Sequence, residues 1–473
     1  MATNSTCASP EVSLSSLSPD ETILRLPHPY QTDYNLHRAT TPGPPPRKEL
    51  ADIPLYRIRE KVGSAKAPTP CKLDNARLLF SEPTHLKSSE LPPAANNSAW
   101  ARARRSPCSF VVWDGPEALP SPAQAWLLLY VFFTLRPGNE SIRLELRGPG
   151  AATLAQQLID LLLATSQAPP SGTAESQTSH SGLDEALVVA RQGTFWQGAG
   201  SPFGPRPVWL PEGTPRSLRS SSGPSPSYPI APLHHTITVA SAGDPQDPHR
   251  YQQSYHPIRP AKPAPGALIY SRWIPHIKET FSMVVLDWEN EEHLGLLHGW
   301  MNDPRVSQGW HEEGTLEHHR QYLRTIHDDP HQMAVLARWD DTFFGYFEFY
   351  WAKEDRLGGY YDAGDFDRGR HALVGDVRFR GPHRVSGWWS SQIHYLFLDD
   401  PRTMYVVGQP KISDPTSSLY DLIHGFRIDR FIDLPHKRST VNGCPRGKFF
   451  QLCPMAEQEK AVGGLQLVLG PKL

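Results

Sequence analysis

Apolar positions in the second half of the chain switch repeatedly between a period of two and a period near 3.6, the pattern of strands alternating with helices. Ser282–Leu286 reads as a strand, and Asn290–Met301 as a helix whose Leu294, Leu297 and Met301 share one face. Asn302-Asp303-Pro304 stops that helix. Thr315–His327 predicts a second helix, with Thr315 as its cap and Glu317 in its first turn. Gln332–Trp339 and Thr342–Trp351 read as a hairpin across Asp340-Asp341. A charged loop, a strand at Ala372–Arg378, an Arg-Gly turn and an amphipathic helix follow. Met404–Gly408 is then a strand, Pro415–Phe426 a helix, and Ile428–Leu434 and Lys448–Leu452 closing strands.

The first half carries a similar but sparser alternation. Ser109–Trp113 and Ser141–Leu146 read as strands, Ala123–Leu135 and Ala151–Ala164 as helices, which together suggest an α/β unit. It has no cluster of titratable groups, so it reads as structural. Ser, Thr and Pro dominate residues 1–50, which are expected to form a loose tail. Turn-rich insertions fall at 167–181 and 198–229. The expected division is therefore a first domain over 51–240 that includes Thr236–Ala240, a linker over 241–265, a second domain over 266–455, and a tail over 456–473.

Composition narrows the function classes. A net charge of −2 gives no global attraction to nucleic acid or to an anionic membrane, so any charge-driven function has to be local. Cys7, Cys71, Cys108, Cys444 and Cys453 are odd in number and lack a CxxC spacing, which argues against a disulfide framework or a zinc site. The 21 histidines are scattered, and His234-His235 and His318-His319 lack ligand spacing with a partner, so no metal site is expected. The longest apolar run, Ala123–Leu135, is too short to span a bilayer. The final Pro471-Lys472-Leu473 resembles the Ser-Lys-Leu peroxisomal address, and with it comes the expectation of a peroxisomal import receptor as partner.

The chemistry centres on Arg380-Gly381-Pro382-His383-Arg384, between a strand and a helix. Gly381 lets backbone approach a ligand, Pro382 suits the first helical position, and Arg380, His383 and Arg384 add positive charge to the helix dipole. Free N–H groups at such a helix start suit a pyrophosphate.

Longer motifs carry a family resemblance over residues 280–452. Leu297-His-Gly-Trp-Met-Asn-Asp-Pro-Arg-Val306, Gly345-Tyr-Phe-Glu-Phe-Tyr-Trp-Ala-Lys-Glu-Asp355, Tyr360-Tyr-Asp362, Asp367-Arg-Gly-Arg-His371, Phe379-Arg-Gly-Pro-His-Arg-Val385 and His394-Tyr-Leu-Phe-Leu-Asp-Asp-Pro-Arg402 are similar to the siderophore-biosynthesis acyltransferases that acylate N-hydroxyornithine or N-hydroxylysine. The resemblance implies the GNAT acyltransferase fold, of α/β (α+β) class, with the first half a degenerate copy in tandem. It implies acyl-CoA as co-substrate, no permanently bound cofactor, and a hydroxamate product. Two fungal versions are known, a cytosolic acetyltransferase feeding ferricrocin and a peroxisomal transacylase of anhydromevalonyl feeding fusarinine and triacetylfusarinine. The Pro-Lys-Leu ending favours the second; an acetyltransferase and a non-catalytic scaffold are the alternatives, and a homodimer is one expected assembly.

The resemblance also implies residue roles. Arg378 joins the Arg380–Val385 turn around the CoA pyrophosphate, and a backbone N–H of the preceding strand meets the oxyanion. Direct transfer in a ternary complex is expected. His371 is suited to take the acceptor proton. In related mycobacterial lysine acyltransferases a carboxylate on the following strand is the histidine's proposed partner; here Gln409 holds that position and can only position the acceptor. Asp376 or Asp414 is a candidate to replace it, Asp414 standing where the family more often has Asn. Charges of both signs over Lys353–Arg370 suit a zwitterion, with Asp362 and Arg370 favoured. Glu348 is expected to face the acceptor, Trp351 to wall the acyl group, and Trp310 with His311 to form a lid or pocket.

Overall fold

Two eight-stranded sheets of the same topology organise the described residues. The computed structural model describes residues 13–39, 52–115, 117, 119–167, 185–204, 206–211, 234–241, 251–452, 455, 459–462 and 465–468. Residues of the amino-terminal tail before 13, the core of each turn-rich insertion, and the final Pro471-Lys472-Leu473 lie outside them. Contacts divide the chain into units Met1–Val208 and Trp209–Leu473.

In the first unit the strands are β1 Leu24–Arg25, β2 Asp33–Arg38, β3 Leu55–Glu60, β4 Leu79–Ser81, β5 Cys108–Val112, β6 Ser141–Arg147, β7 Ala164–Thr165 and β8 Glu185–Arg191, ordered 1-2-3-4-5-6-8-7. All neighbours are antiparallel except β5 and β6. Helix α1, Pro122–Leu135, makes that parallel crossover; Ser121 and Gln124 close a capping box at its start. Its run from Ala125 to Phe133 is buried on every side, as a helix in a core must be when it has no polar face. Helix α2, Ala151–Asp160, leads to β7.

A hairpin of β9, His235–Ser241, and β10, Tyr251–Pro257, opens the second unit. Its sheet holds β11 Leu268–Ile274, β12 Glu279–Val285, β13 Gln332–Trp339, β14 Thr342–Trp351, β15 Arg368–Val374, β16 Tyr405–Gly408, β17 Arg427–Leu434 and β18 Lys437–Pro445, ordered 11-12-13-14-15-16-18-17. Here too one pair is parallel, β15 with β16, at the same place in the order. Between β12 and β13 lie α3 Glu291–Met301, α4 Pro304–Trp310 and α5 Leu316–Asp328; α6 Pro382–Asp399 crosses from β15 to β16, and α7 Pro415–Ile423 follows β16. The repeated order and crossover are what the tandem GNAT-like reading of the sequence expects.

Several boundaries differ from the sequence reading. Part of the expected loose tail is ordered: β1 and β2 pair, and Tyr34 and Leu36 are buried. Thr236–Ala240 belongs to the second unit, paired with β10 rather than with the first sheet. The expected linker is anchored, because Arg259 gives Glu354 two hydrogen bonds of 2.6 and 2.5 Å, with both side chains buried. Lys448–Leu452 falls largely in a short helix, Arg446–Gln451, where Phe449 and Phe450 pack on Phe397; tertiary contact overrides strand propensity there. The helix expected to run to Ala164 stops at Asp160. The central strand ends at Val374 because the N–H groups of Gly375 and Asp376 both turn to the carbonyl of Phe344.

One histidine couples this fold to pH. His331 is inserted between Asp329, at 2.5 Å, and Asp355, at 3.7 Å. Burial lowers its pKa, but the two carboxylates more than reverse this and bring it to about 9. A group raised in the folded state stabilises fully below its unfolded value near 6.5 and loses that contribution as pH climbs through about 9. The thermal midpoint is expected to fall over that window, and His331→Gln to flatten the fall; an unchanged slope in the variant contradicts the assignment.

Candidate active site

Register on the central hairpin sets the chemistry. Strands β14 and β15 place Glu348 directly opposite His371. Alternation puts Tyr346, Glu348 and Tyr350 on the His371 face, while Phe347 and Phe349 turn to α6, against Trp388 and Tyr395 at 5.7 and 5.3 Å. One face of the strand is thus a polar column and the other is core.

His371 Nδ1 lies 3.0 Å from Glu348 Oε2. The other carboxylate oxygen accepts from the Tyr346 hydroxyl at 2.9 Å and from the Tyr322 hydroxyl. Burial raises the Glu348 pKa, yet His371 and the two tyrosines outweigh it and hold the carboxyl below its ordinary value. Burial, then the Glu348 charge, pushes both tyrosines well above theirs, so they remain donors. A charged carboxylate at Nδ1 assigns the proton to that nitrogen and leaves the lone pair on Nε2. The Gln409 amide approaches Nε2 at 3.3 Å. The ring is flanked by Tyr350 at 5.0 Å and Trp310 at 6.2 Å, and its side chain is 35% exposed.

Next to this base the sheet opens. Strands β15 and β16 pair only at Arg368↔Val406 and Gly369↔Val407, although β15 continues to Val374. The rest of β15 has no ladder on that side, which leaves room for an extended ligand that carries amides of its own. Chain leaving this opening reaches Gly381, with φ +136°, and then α6, which has Pro382 in its first turn and no side-chain cap. A Cβ at Gly381 would stand 2.8 Å from the His383 ring. Arg380 makes no side-chain hydrogen bond or ion pair among the described residues, whereas Arg384 is held by Glu279 through two 2.6 Å bonds and packs on Trp339 and Phe379.

The comparisons with known proteins agree with this geometry. Residues 289–434 match the model described as "Acetyltransferase (GNAT) domain". The chain is 60% identical, over 98% of its length and 99% of the relative's, to the N(5)-hydroxyornithine:cis-anhydromevalonyl coenzyme A-N(5)-transacylase of Beauveria bassiana. The chain belongs to the hydroxyornithine transacylase family. A hydroxyornithine transacylase of Ajellomyces capsulatus is 47% identical over 92% of this chain and 94% of its own. The N(6)-hydroxylysine O-acetyltransferase of Escherichia coli is 35% identical over 42% of this chain and 62% of its own.

For this hydroxyornithine transacylase family member the structure gathers His371, Gln409, Glu348 and Trp310 into one place and sets other expected residues apart. Asp376 caps the turn Val377–Phe379 and pairs with the exposed Arg378 at 2.6 Å, which occupies it away from His371. Asp414 caps α7 through Thr416 and Ser417. Arg370 is buried against Asp421 at 2.5 Å and stacked on Trp389, which removes it from any substrate clamp. Asp362 is exposed at the loop surface. Trp351 lies on the opposite strand face from Glu348, between Arg259 and Arg368 at 4.4 and 4.1 Å, and so does not wall an acyl group. Burial, then Arg384 and His276, lower the His383 pKa, which weakens the expected positive charge there; Val385 is core.

Glu348 was expected to face the acceptor, and its place is instead behind His371 as the carboxylate that Gln409 does not supply. Tyr346 and Tyr350 stand two residues either side of Glu348 on one strand face, and Tyr346 donates to it. Tyr322 gave no local signal, since it arrives from α5. Arg380→Met is expected to raise KM for acyl-CoA about tenfold with kcat nearly unchanged, the loss of one charge-assisted contact. Equal KM values in the two proteins would remove Arg380 from the cradle.

Proposed function

We propose that the chain transfers an acyl group from acyl-CoA to the side-chain nitrogen of N5-hydroxyornithine, with cis-anhydromevalonyl as the acyl group, to give a hydroxamate for siderophore synthesis. The observation that carries this reading is the Tyr346–Glu348–His371 column, ending in a part-exposed imidazole beside an opened parallel strand pair.

The steps follow from that arrangement. CoA enters with its pantetheine amides along β15 and its pyrophosphate at Gly381 and Arg380. The hydroxylamine nitrogen attacks the thioester carbon, and the oxyanion is met by a backbone N–H of β15. His371 Nε2 takes the proton that nitrogen sheds, while Glu348 stabilises the imidazolium through Nδ1–H. The C–S bond breaks, the thiolate takes a proton back, and the N–OH group survives in the product. No acyl-enzyme is needed. A carboxylate at His371, supplied by Glu348 where Gln409 cannot, supports a catalytic reading over a scaffold.

The test supplies purified protein with N5-hydroxyornithine and either cis-anhydromevalonyl-CoA or acetyl-CoA, and identifies the hydroxamate by mass and by its iron(III) colour. The anhydromevalonyl product is expected to dominate. Preferential acetyl transfer would support the second reading, which the hydroxylysine O-acetyltransferase likeness favours, and no hydroxamate from either donor would overturn the reaction.

A further inference from the structure

Resting on that reading, we infer that Lys437, with Lys411 and Arg356 beside it, forms the site that binds the α-carboxylate of the amino-acid acceptor. The acceptor brings a carboxylate separated from its reacting nitrogen by three methylenes and the α-carbon, and the cation first expected to meet it, Arg370, is consumed by Asp421. A different cation has to serve.

Lys437 stands at the start of β18, and its ammonium donates to the backbone carbonyl of Gln409 at 3.1 Å. The side chain of the same Gln409 reaches His371 Nε2 at 3.3 Å. One residue therefore touches both the base and the ammonium, and an acceptor lying along it can offer its nitrogen to the first and its carboxylate to the second. Lys411, two residues on, is tied to this place by a bridge to Ser439 and by a 3.2 Å bond from its ammonium to the carbonyl of Gly309, next to Trp310.

The cluster is positive without compensation. Among the described residues no carboxylate pairs with Lys437, Lys411 or Arg356, although most other cations of this unit's interior have one. Burial, then the charges of Lys411 and Arg356, bring the Lys437 pKa down to about 8. His436 is lowered by burial and then by Lys437, Arg356, Lys411 and His311. Half-burying Lys437 and Lys411 without an acid is costly unless an anion joins them. The Gln409 Oε1 atom is also buried and without a hydrogen-bond partner among the described residues.

The experiment compares N5-hydroxyornithine with N-hydroxyputrescine, the same hydroxylamine without the carboxylate, using one acyl-CoA. The unaltered chain is expected to favour hydroxyornithine through a lower KM. Lys437→Met should raise that KM about 10- to 100-fold, the worth of a charge-assisted contact, with kcat little changed and the loss confined to the carboxylate-bearing acceptor. Lys437→Arg should retain most of the preference. Unchanged discrimination in Lys437→Met, or an equal fall in kcat with both acceptors, overturns the inference while leaving the acyltransfer reading in place. Failure of the unaltered chain to acylate either acceptor overturns that reading and the inference with it.

Discussion

Replacing His371 by glutamine is expected to lower kcat by about 10²- to 10⁴-fold, the usual contribution of a positioned general base. Glutamine keeps a hydrogen-bonding group of similar reach but has no lone pair basic enough to take the acceptor proton. The side chain is 35% exposed, so the change opens no large cavity and the fold should persist. KM for acyl-CoA should stay within a few-fold, because the Gly381 and Arg380 cradle lies elsewhere on the chain. Glu348→Gln should cost less, since His371 remains but loses the carboxylate that orients it and steadies its charged form. A His371→Gln enzyme with full kcat would remove the histidine from the chemistry.

Asp421→Ala is expected to cost stability on the order of 3–5 kcal/mol, the usual penalty for breaking one side of a buried pair. Asp421 takes hydrogen bonds from Arg370 at 2.5 Å, from the Trp389 indole at 3.3 Å and from Asn442 at 3.0 Å. Without it Arg370 lies between Trp389 and Phe426 with its charge uncompensated. Against a total of about 5–15 kcal/mol for a typical domain, this loss should remove a large share of the second unit's stability. Urea unfolding followed by tryptophan fluorescence measures it; a midpoint equal to that of the unaltered chain contradicts the structural role given to Arg370.

How much of this was legible in the sequence depended on how local each feature is. The α6 start was legible, because Arg-Gly-Pro between a strand and an amphipathic run encodes its own geometry, and Gly381 does adopt a positive φ. The strand order was legible through a long family resemblance. Charge was misread where pairing is long-range: nothing near Arg370 announces Asp421, fifty-one positions on. Asp376 and Asp414 lie within three residues of an N–H they cap, and capping is the ordinary fate of such aspartates. The Glu348 role needed the register of β14 on β15, which propensity does not give. Trp351 shows the reverse failure, since counting by twos from Glu348 already puts it on the other face.

Rescue of a His371→Gly enzyme by added imidazoles of graded basicity tests the central claim most directly. The missing ring leaves a space between Tyr350 and Trp310, open to solvent, that a free imidazole can enter. Hydroxamate formation should be nearly abolished without imidazole and should recover with it, rising with the basicity of the added base. Turnover at the unaltered rate with no imidazole present would contradict the account.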